Sequence, residues 1–162
     1  MELIEKTKAE FVEATESIRK ALATTPDEKI NWSPAPTART PIQQVAHAAA
    51  AIGYINSTLA GTPFPAPNPA AADQEFRAWE QQFTTRAEVL QLLDQNATAF
   101  VDWLDCVTPE LLETTVTLPF GLGQAPLPAL MSAPASHTRF HAAQMEYTQT
   151  LYGDRDWHLG LS

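Results

Sequence analysis

The prolines of this chain restrict where helices can form more strongly than any other feature. Thirteen prolines occur among 162 residues, and most of them lie in clusters. Because proline lacks a backbone N–H and clashes with the preceding turn, such clusters mark connections rather than helix interiors. The clusters cover residues 26–41, 63–69 and 109–128. Helices of three turns or more are therefore expected only between them or at the two ends.

Four segments outside these clusters have the apolar periodicity of amphipathic helices. The second of them has a typical start, a capping Thr40 followed by Pro41, and a typical end at Gly61. The predicted long helices cover residues 3–23, 41–60, 85–106 and 127–152, with a shorter helix over residues 73–82.

These segments predict an all-α fold, a four-helix bundle. No convincing pair of strands is found, although residues 114–118 alternate weakly and are compatible with a short extended piece. Long second and third connections leave room for a crossover in place of a simple up-down-up-down order. Because 162 residues is the size of one domain, we expect a single domain over residues 1–162, with a tail from about residue 153.

The charge balance narrows the classes of partner. Ten Lys and Arg stand against nineteen Asp and Glu, which gives a net charge of -9. Nucleic acids and anionic membranes attract positive surfaces, so neither is an expected partner. The N-terminus lacks the pattern of a signal peptide. No apolar stretch reaches the ~20 residues that a membrane span needs. The single cysteine, Cys106, excludes a disulfide framework. We therefore expect a cytoplasmic protein.

Polar side chains interrupt the predicted inward face of the last helix. Read at spacings of three and four, this face carries His137, His141 and Gln144 between leucines. Burying such groups without partners costs about 1–3 kcal/mol each, so they need hydrogen bonds, water or a metal. The two histidines are four residues apart, which places their side chains about 5–6 Å apart on one helical face, within reach of one ion. A hydrogen-bonded or exposed histidine pair explains the same spacing, so the spacing alone leaves the metal open.

A third ligand has to come from outside the last helix, where two histidines remain. His158 follows Gly153 and adjoins Trp157, a position that favours a solvated or dimer-contact role. His47 lies early in the second helix, before four alanines that let a neighbouring helix or a ligand come close. It projects away from the main apolar stripe, but this alanine-rich helix is apolar on nearly every side. Tyr54 lies seven residues later in the same direction, so the two are expected to line one cavity.

Two segments together resemble the DinB/YfiT-like proteins. One is WSP at residues 32–34 with TPIQQVAH at residues 40–47, and the other is HTRFHAAQ at residues 137–144 with LYG at residues 151–153. The resemblance implies a four-helix bundle of unusual connectivity, often dimeric. It also implies that one histidine of the second helix and an HxxxH pair of the last helix bind a divalent metal with open coordination. By this resemblance the metal ligands are His47, His137 and His141.

The match departs from the family pattern near the second ligand of the HxxxH pair. Many relatives carry a double histidine there, then a basic residue and Gly-Gln. In this sequence Phe140 replaces the first histidine of that doublet, and two alanines precede Gln144. The ligand position itself is kept. Pro134, one turn before His137, is expected either to kink the last helix or to mark its true start.

The implied site favours an anionic fourth ligand, because three neutral imidazoles leave the charge of a divalent ion uncompensated. Zn, Ni and Fe all suit three histidines, so a divalent transition metal is the expected cofactor. The family includes thiol-dependent S-transferases and a mycothiol-dependent maleylpyruvate isomerase, so the resemblance implies activation of a bound water or of a low-molecular-weight thiol. We therefore expect a hydrolase or a thiol S-transferase that acts on a small molecule.

The substrate-binding candidates are Tyr54, Asn96 and Gln144, polar residues predicted to point inward; structural hydrogen bonding is the alternative for each. No catalytic acid or base is assigned, because the carboxylates of the first and third long helices are expected to be solvated. Two other functions remain open. One is a non-catalytic metal- or small-molecule-binding protein, for example in a stress response, and the other is a helical interaction module. A homodimer is expected because the resemblance implies a family that is often dimeric and because a large part of the second helix is apolar.

Overall fold

Four long helices form the bundle in the computed structural model, which describes residues 2–158. They confirm the predicted all-α, four-helix-bundle class. In chain order the helices are α1 (Glu2–Thr24), α2 (Pro41–Leu59), α3 (Pro69–Glu80), α4 (Arg86–Asp105), α5 (Pro109–Leu112), α6 (Leu127–Leu130) and α7 (Ala133–Leu151). Short 3₁₀ turns cover Asp27–Lys29 and Pro119–Gly121, and two strands, β1 (Thr115–Thr117) and β2 (Gln124–Pro126), lie between α5 and α6.

A capping box determines where α2 begins. The Thr40 hydroxyl accepts a hydrogen bond from the Gln43 backbone N–H at 3.2 Å, and the Gln43 side chain accepts one from the Thr40 N–H at 3.0 Å. Pro41 occupies the first helical position, where its missing N–H costs nothing. Because the start is fixed, so are the directions in which Gln44 and His47 project from the helix.

The order of the helices around the bundle differs from their order in the chain. Helix α1 packs against α7 and α4, and α2 packs against the same two helices, while α1 and α2 touch each other only sparingly. The first and third connections therefore cross the bundle, which departs from a simple up-down-up-down order. The sequence leaves room for a crossover in the second and third connections, so the expectation agrees with the third connection only. The second connection joins neighbouring helices and is long because it contains α3, which packs on α2.

Small side chains let α2 approach its neighbours closely. Ala46, Ala48 and Ala49 are fully buried, and the Asn96 amide of α4 donates a hydrogen bond to the Ala49 carbonyl at 2.9 Å. A Cβ atom added at Gly53 would lie 3.0 Å from the Asn96 side-chain oxygen, so glycine is needed where the two helices meet. This packing places α4 and α7 on two sides of α2 and leaves its third side to α3.

The expectation that no pair of strands forms is wrong. Strands β1 and β2 pair antiparallel, with Val116 opposite Ala125 and Thr115 opposite Pro126. Threonine and valine favour a strand, and Gly121 and Gly123 adopt the positive φ angles that turn the chain back. Pro126 belongs to β2, where a proline is tolerated because the strand lies at the edge of a two-stranded sheet.

The predicted helix over residues 127–152 is two helices, and its predicted inward face is partly wrong. Pro134 lies in the first turn of α7 and marks the true start of that helix. Gln144 is exposed and Leu151 is 49% exposed, whereas Met145 is buried and the buried glutamine is Gln149. Two faces of α7 have similar apolar content. The packing of α7 against both α1 and α2 decides between them and buries the face that carries Ala142, Met145 and Gln149.

The structure describes residues 2–158, so part of the predicted domain and tail lies outside it. Helix α7 ends at Leu151, Gly153 follows with a φ of 93°, and residues 154–158 are irregular. Residue 1 and residues 159–162 of the predicted domain and tail lie outside the described residues. Within residues 2–158, no helix is both long and apolar enough to cross a membrane.

The packing of α4 generates a stability prediction. Leu93 is fully buried in the core, whereas Leu122, in the turn before β2, is 71% exposed. We expect Leu93→Ala to lower the free energy of unfolding by about 2–5 kcal/mol, because it removes core contacts and leaves a cavity. The matched control Leu122→Ala is expected to change it by less than about 0.5 kcal/mol. Urea unfolding of the two variants measures both values, and equal losses would contradict the assigned core.

Candidate metal centre

Three histidines from two helices meet at one side of the bundle. His47 of α2 and His137 and His141 of α7 each offer a ring nitrogen, and these nitrogens lie within 4.8 Å of one another. The ring centroids of His47 and His141 are 4.7 Å apart, and those of His137 and His141 are 4.6 Å apart. The structure thus brings together the three residues that the resemblance implied as metal ligands.

Two of the imidazoles are oriented by side chains outside the cluster. The Nδ1 of His47 lies 2.7 Å from Oε1 of Glu80, and the Nδ1 of His141 lies 2.5 Å from Oε1 of Gln44. Both partners are acceptors, so each Nδ1 carries the proton and donates the hydrogen bond. The Nε2 lone pair of each ring is therefore free for a ligand, an arrangement typical of metal-binding histidines.

The third imidazole contains a nitrogen that the protein does not satisfy. The Nδ1 of His137 is buried and has no hydrogen-bond partner among residues 2–158. Leaving such an atom unpaired costs about 1–3 kcal/mol. Three imidazoles, two of them oriented and one incompletely satisfied, fit a divalent transition metal, for which imidazole is a common ligand.

The histidines of α7 are held in the neutral form that binds metals. Burial, with smaller contributions from His47 and Arg39, lowers the pKa of His137 from 6.5 to about 4. Burial and the neighbouring His137, His47 and Arg39 lower the pKa of His141 to about 3. Protonation therefore does not compete with a metal at neutral pH, because both rings are already deprotonated.

A buried carboxylate links the cluster to the surrounding loops. Glu80, the last residue of α3, is 1% exposed. Its second oxygen accepts a hydrogen bond from Nε of Arg39 at 2.6 Å, and Arg39 also binds Asp73 at 3.0 Å. Burial raises the pKa of Glu80, but the hydrogen bonds from His47 and Arg39 outweigh it, so the pKa lies below its ordinary value. Glu80 is therefore ionised and fixes the ring of His47.

Sequence reasoning missed Glu80, although a signal for it exists. The sequence predicts the helix over residues 73–82 but does not assign any of its carboxylates to a histidine. Ala72, Phe76 and Glu80 recur every four residues on one face of α3, and Ala72 and Glu80 are buried. A glutamate on the apolar face of a helix requires a cationic or hydrogen-bonding partner, which is the signal that identifies it. Gln44 was missed as well, three residues before His47 on the same face of α2.

The three predicted substrate-binding residues lie in two places. Tyr54 and Asn96 line a cavity of about 480 Å³ between α2, α3 and α4. Gln144 is exposed and does not line this cavity, but its side chain interacts with His141 and partly offsets the lowered pKa of that ring. The ring of Phe76 lies 4.9 Å from His47 and 5.4 Å from Tyr54, centroid to centroid, so one aromatic ring separates the cavity from the histidines.

Comparisons with known proteins agree with this architecture. The sequence matches the DinB superfamily over residues 10–145. YfiT from Bacillus subtilis, described as "a probable metal-dependent hydrolase with an unusual four-helix bundle topology", superimposes with a TM-score of 0.72 at 16% identity, over 93% of this chain and 87% of that one. The sibling lethal factor precursor DfsB gives 0.71 at 16% identity, over 93% and 97%.

A mycothiol-dependent maleylpyruvate isomerase is also similar, with a TM-score of 0.66 at 15% identity. The match covers 88% of this chain but only 60% of the isomerase. A search of curated proteins finds no significant match. At these identities, the structural similarities establish the fold and leave the activity to be argued from the site.

The role of Glu80 generates a prediction for the metal-free protein. Glu80→Ala leaves the partly buried Arg39 and the His47 ring without their shared acceptor, so we expect a loss of about 3 kcal/mol in the free energy of unfolding. Asp73 remains beside Arg39, which places the value at the lower end of the range for broken buried pairs. Denaturant unfolding measures this loss.

The controls are two further variants of α3. Glu80→Gln keeps one acceptor oxygen and is expected to lose less stability than Glu80→Ala. Glu75→Ala removes an exposed carboxylate of the same helix and is expected to change stability by less than about 0.5 kcal/mol. If Glu80→Ala were as stable as Glu75→Ala, Glu80 would not hold the cluster in place.

Proposed function

Because the chain belongs to the DinB superfamily, we propose that it is a divalent-metal-dependent enzyme whose metal is held by His47, His137 and His141. The observation that carries the proposal is the convergence of the three imidazoles, with ligand nitrogens within 4.8 Å of one another. Three protein ligands leave at least one position for water or substrate, as catalytic zinc sites do, whereas structural sites have four protein ligands.

The residues around the histidines prepare them for this role. Glu80 and Gln44 each accept a hydrogen bond from Nδ1 of one ring, which fixes the orientation of that ring and leaves its Nε2 for an ion. The low pKa values of His137 and His141 remove competition from protons at neutral pH. Zn, Ni and Fe are the candidate ions, since imidazole suits each of them.

Hydrolysis is the activity that the site supports best. A divalent ion held here supplies Lewis acidity and lowers the pKa of a coordinated water or thiol towards neutrality. Glu80 is bound to His47 and Arg39 and is not free to act as a general base. Among residues 2–158, the lining of the neighbouring cavity includes a carboxylate, Glu75, and no Lys or Arg, which disfavours an anionic thiol and favours water as the nucleophile.

A thiol S-transferase is the second candidate. The structural similarity to a mycothiol-dependent isomerase supports this candidate. Glu75 does not repel a thiol that carries no net negative charge, so such a thiol remains compatible with the cavity. Tyr54 and Asn96 are proposed to contact the substrate from the cavity, and Gln144 from beside His141. Addition of low-molecular-weight thiols to the assays below distinguishes the two activities.

We propose that two copies of the chain form a homodimer by packing together through the exposed face of α7. Phe140 and Tyr147 are each 67% exposed and Leu151 is 49% exposed, and their spacings of seven and four place them on one stripe of the helix. Two copies packed about a twofold axis would cover this stripe. Sedimentation equilibrium tests this arrangement: Tyr147→Glu is expected to shift a dimer to monomer, and a monomeric parent would contradict it.

The metal proposal predicts paired losses of metal and activity. Protein purified without an affinity tag, stripped of metal and reloaded with Zn, Ni or Fe(II), is tested against a panel of small esters and amides, with and without added thiols. We expect near-stoichiometric binding of at least one ion and hydrolysis that depends on it. The His137→Ala/His141→Ala double variant is expected to lose both, because one imidazole cannot hold the ion alone.

Two further variants separate a ligand role from general effects. His158→Ala removes a histidine that binds Asp154 in the tail and is expected to leave metal content and rate unchanged. Glu80→Gln is expected to weaken metal affinity by about 10–100-fold, the usual cost of a changed partner behind a ligating histidine. A parent that binds none of the three ions would sink the proposal, and binding without turnover on any substrate would leave a non-catalytic metal-binding protein.

A further inference from the structure

The cavity beside the metal centre has the size and the lining of a small-molecule site. Its volume is about 480 Å³, within the range of pockets that enclose most of a small ligand. Its walls come from α2, α3, α4 and the connection before α3. The three histidines are not part of its lining, so its ligand is recognised by a separate set of side chains.

Aromatic rings supply much of the apolar wall. Tyr54, Phe64, Phe76 and Trp79 all line the cavity. The Tyr54 ring contacts Phe64 and Phe76 edge to face, with both centroid distances at 5.4 Å. Aromatic faces carry partial negative charge and attract cations, including organic ammonium groups.

In the part of the chain that the structure describes, the polar groups that line the cavity can accept hydrogen bonds and include no cation. Among the lining residues Glu75 is the only charged side chain. The amide nitrogens of Asn96 and Asn56 lie 2.9 Å and 3.4 Å from the Ala49 and Ala99 carbonyls, so each side-chain oxygen remains an acceptor. The Asn56 oxygen is buried and has no hydrogen-bond partner among residues 2–158. A ligand that donates hydrogen bonds and carries positive charge is complementary to this set.

We propose that this cavity binds a protonated organic amine with an aromatic or other apolar body, the apolar part against the rings and the ammonium group near Glu75. Amine binding deepens the proposed function. It rests on that function only for the statement that the amine is the substrate of the metal-dependent reaction. Phe76 contacts both Tyr54 and His47, so a single aromatic ring separates a bound amine from the histidines. Binding of the amine itself requires no metal.

Three probes of similar shape test the charge preference. Calorimetric titrations of the metal-free full chain at pH 7 use 2-phenylethylammonium, the neutral 2-phenylethanol and the anionic 3-phenylpropanoate. We expect the ammonium probe to bind about tenfold more tightly than the alcohol, because of the cation–aromatic attraction and Glu75, and the carboxylate probe to bind most weakly. Equal affinities for the three probes, or no binding of the ammonium, would overturn the proposal.

Matched variants identify the groups responsible. Glu75→Gln is expected to reduce the preference for the ammonium over the alcohol several-fold, while Glu113→Gln, an exposed carboxylate outside the cavity, makes the same change in net charge and is expected to have no effect. Tyr54→Leu keeps an apolar wall and is expected to weaken the ammonium probe more than the alcohol. Parallel losses in Glu75→Gln and Glu113→Gln would show a general charge effect and contradict the site.

The test separates this proposal from the metal proposal. The same titrations on the His137→Ala/His141→Ala variant are expected to give unchanged affinities, because neither histidine lines the cavity. Amine binding by a protein that takes up no metal would sink the metal-dependent function alone. Metal-dependent hydrolysis without any preference for the ammonium probe would sink the amine proposal alone.

Discussion

The buried carboxylate of Glu80 is the interaction on which the site depends. It lies at the end of a short helix outside the four-helix bundle, yet it holds Arg39 from the first connection and His47 from α2. An ionised carboxylate is stable at 1% exposure only because both oxygens receive hydrogen bonds from polar or charged partners. The same contacts dock α3 on α2, close one wall of the apolar cavity and set the orientation of one imidazole. Fold and site are therefore coupled through one residue.

The bundle supplies the remaining constraints. Alanines along α2 let α7 approach closely, which places an HxxxH pair beside His47 and buries it deeply enough to keep the pKa values of its two histidines near 4 and 3. Gln44, one turn before His47, orients His141 as Glu80 orients His47. Three converging imidazoles, two of them kept neutral by burial, are suited to an ion that activates a small nucleophile. The aromatic cavity one ring away is suited to the apolar part of a substrate.

The sequence predicts the parts of this arrangement that depend on local patterns. Proline clusters and apolar periodicity predict the long helices, and the spacing of His137 and His141 predicts their common face. His47 follows only from the family resemblance, because it lies off the main apolar stripe of α2. The position of Glu80 on the apolar face of α3 indicates that it needs a partner. The partners themselves cannot be predicted from local patterns, because His47 and Arg39 lie 33 and 41 residues away. The rotation of α7, which exposes Gln144, is missed because two of its faces are similarly apolar and tertiary packing decides between them.

X-ray absorption spectroscopy of the zinc-loaded protein tests whether His47, His137 and His141 bind the ion. We expect a first shell of three imidazole nitrogens at about 2.0–2.1 Å, completed by oxygen from solvent or substrate, with the outer-shell scattering that imidazole rings produce. A shell of oxygen atoms without imidazole scattering, or one containing sulfur from Cys106, would show that the ion binds elsewhere and would contradict the three-histidine site.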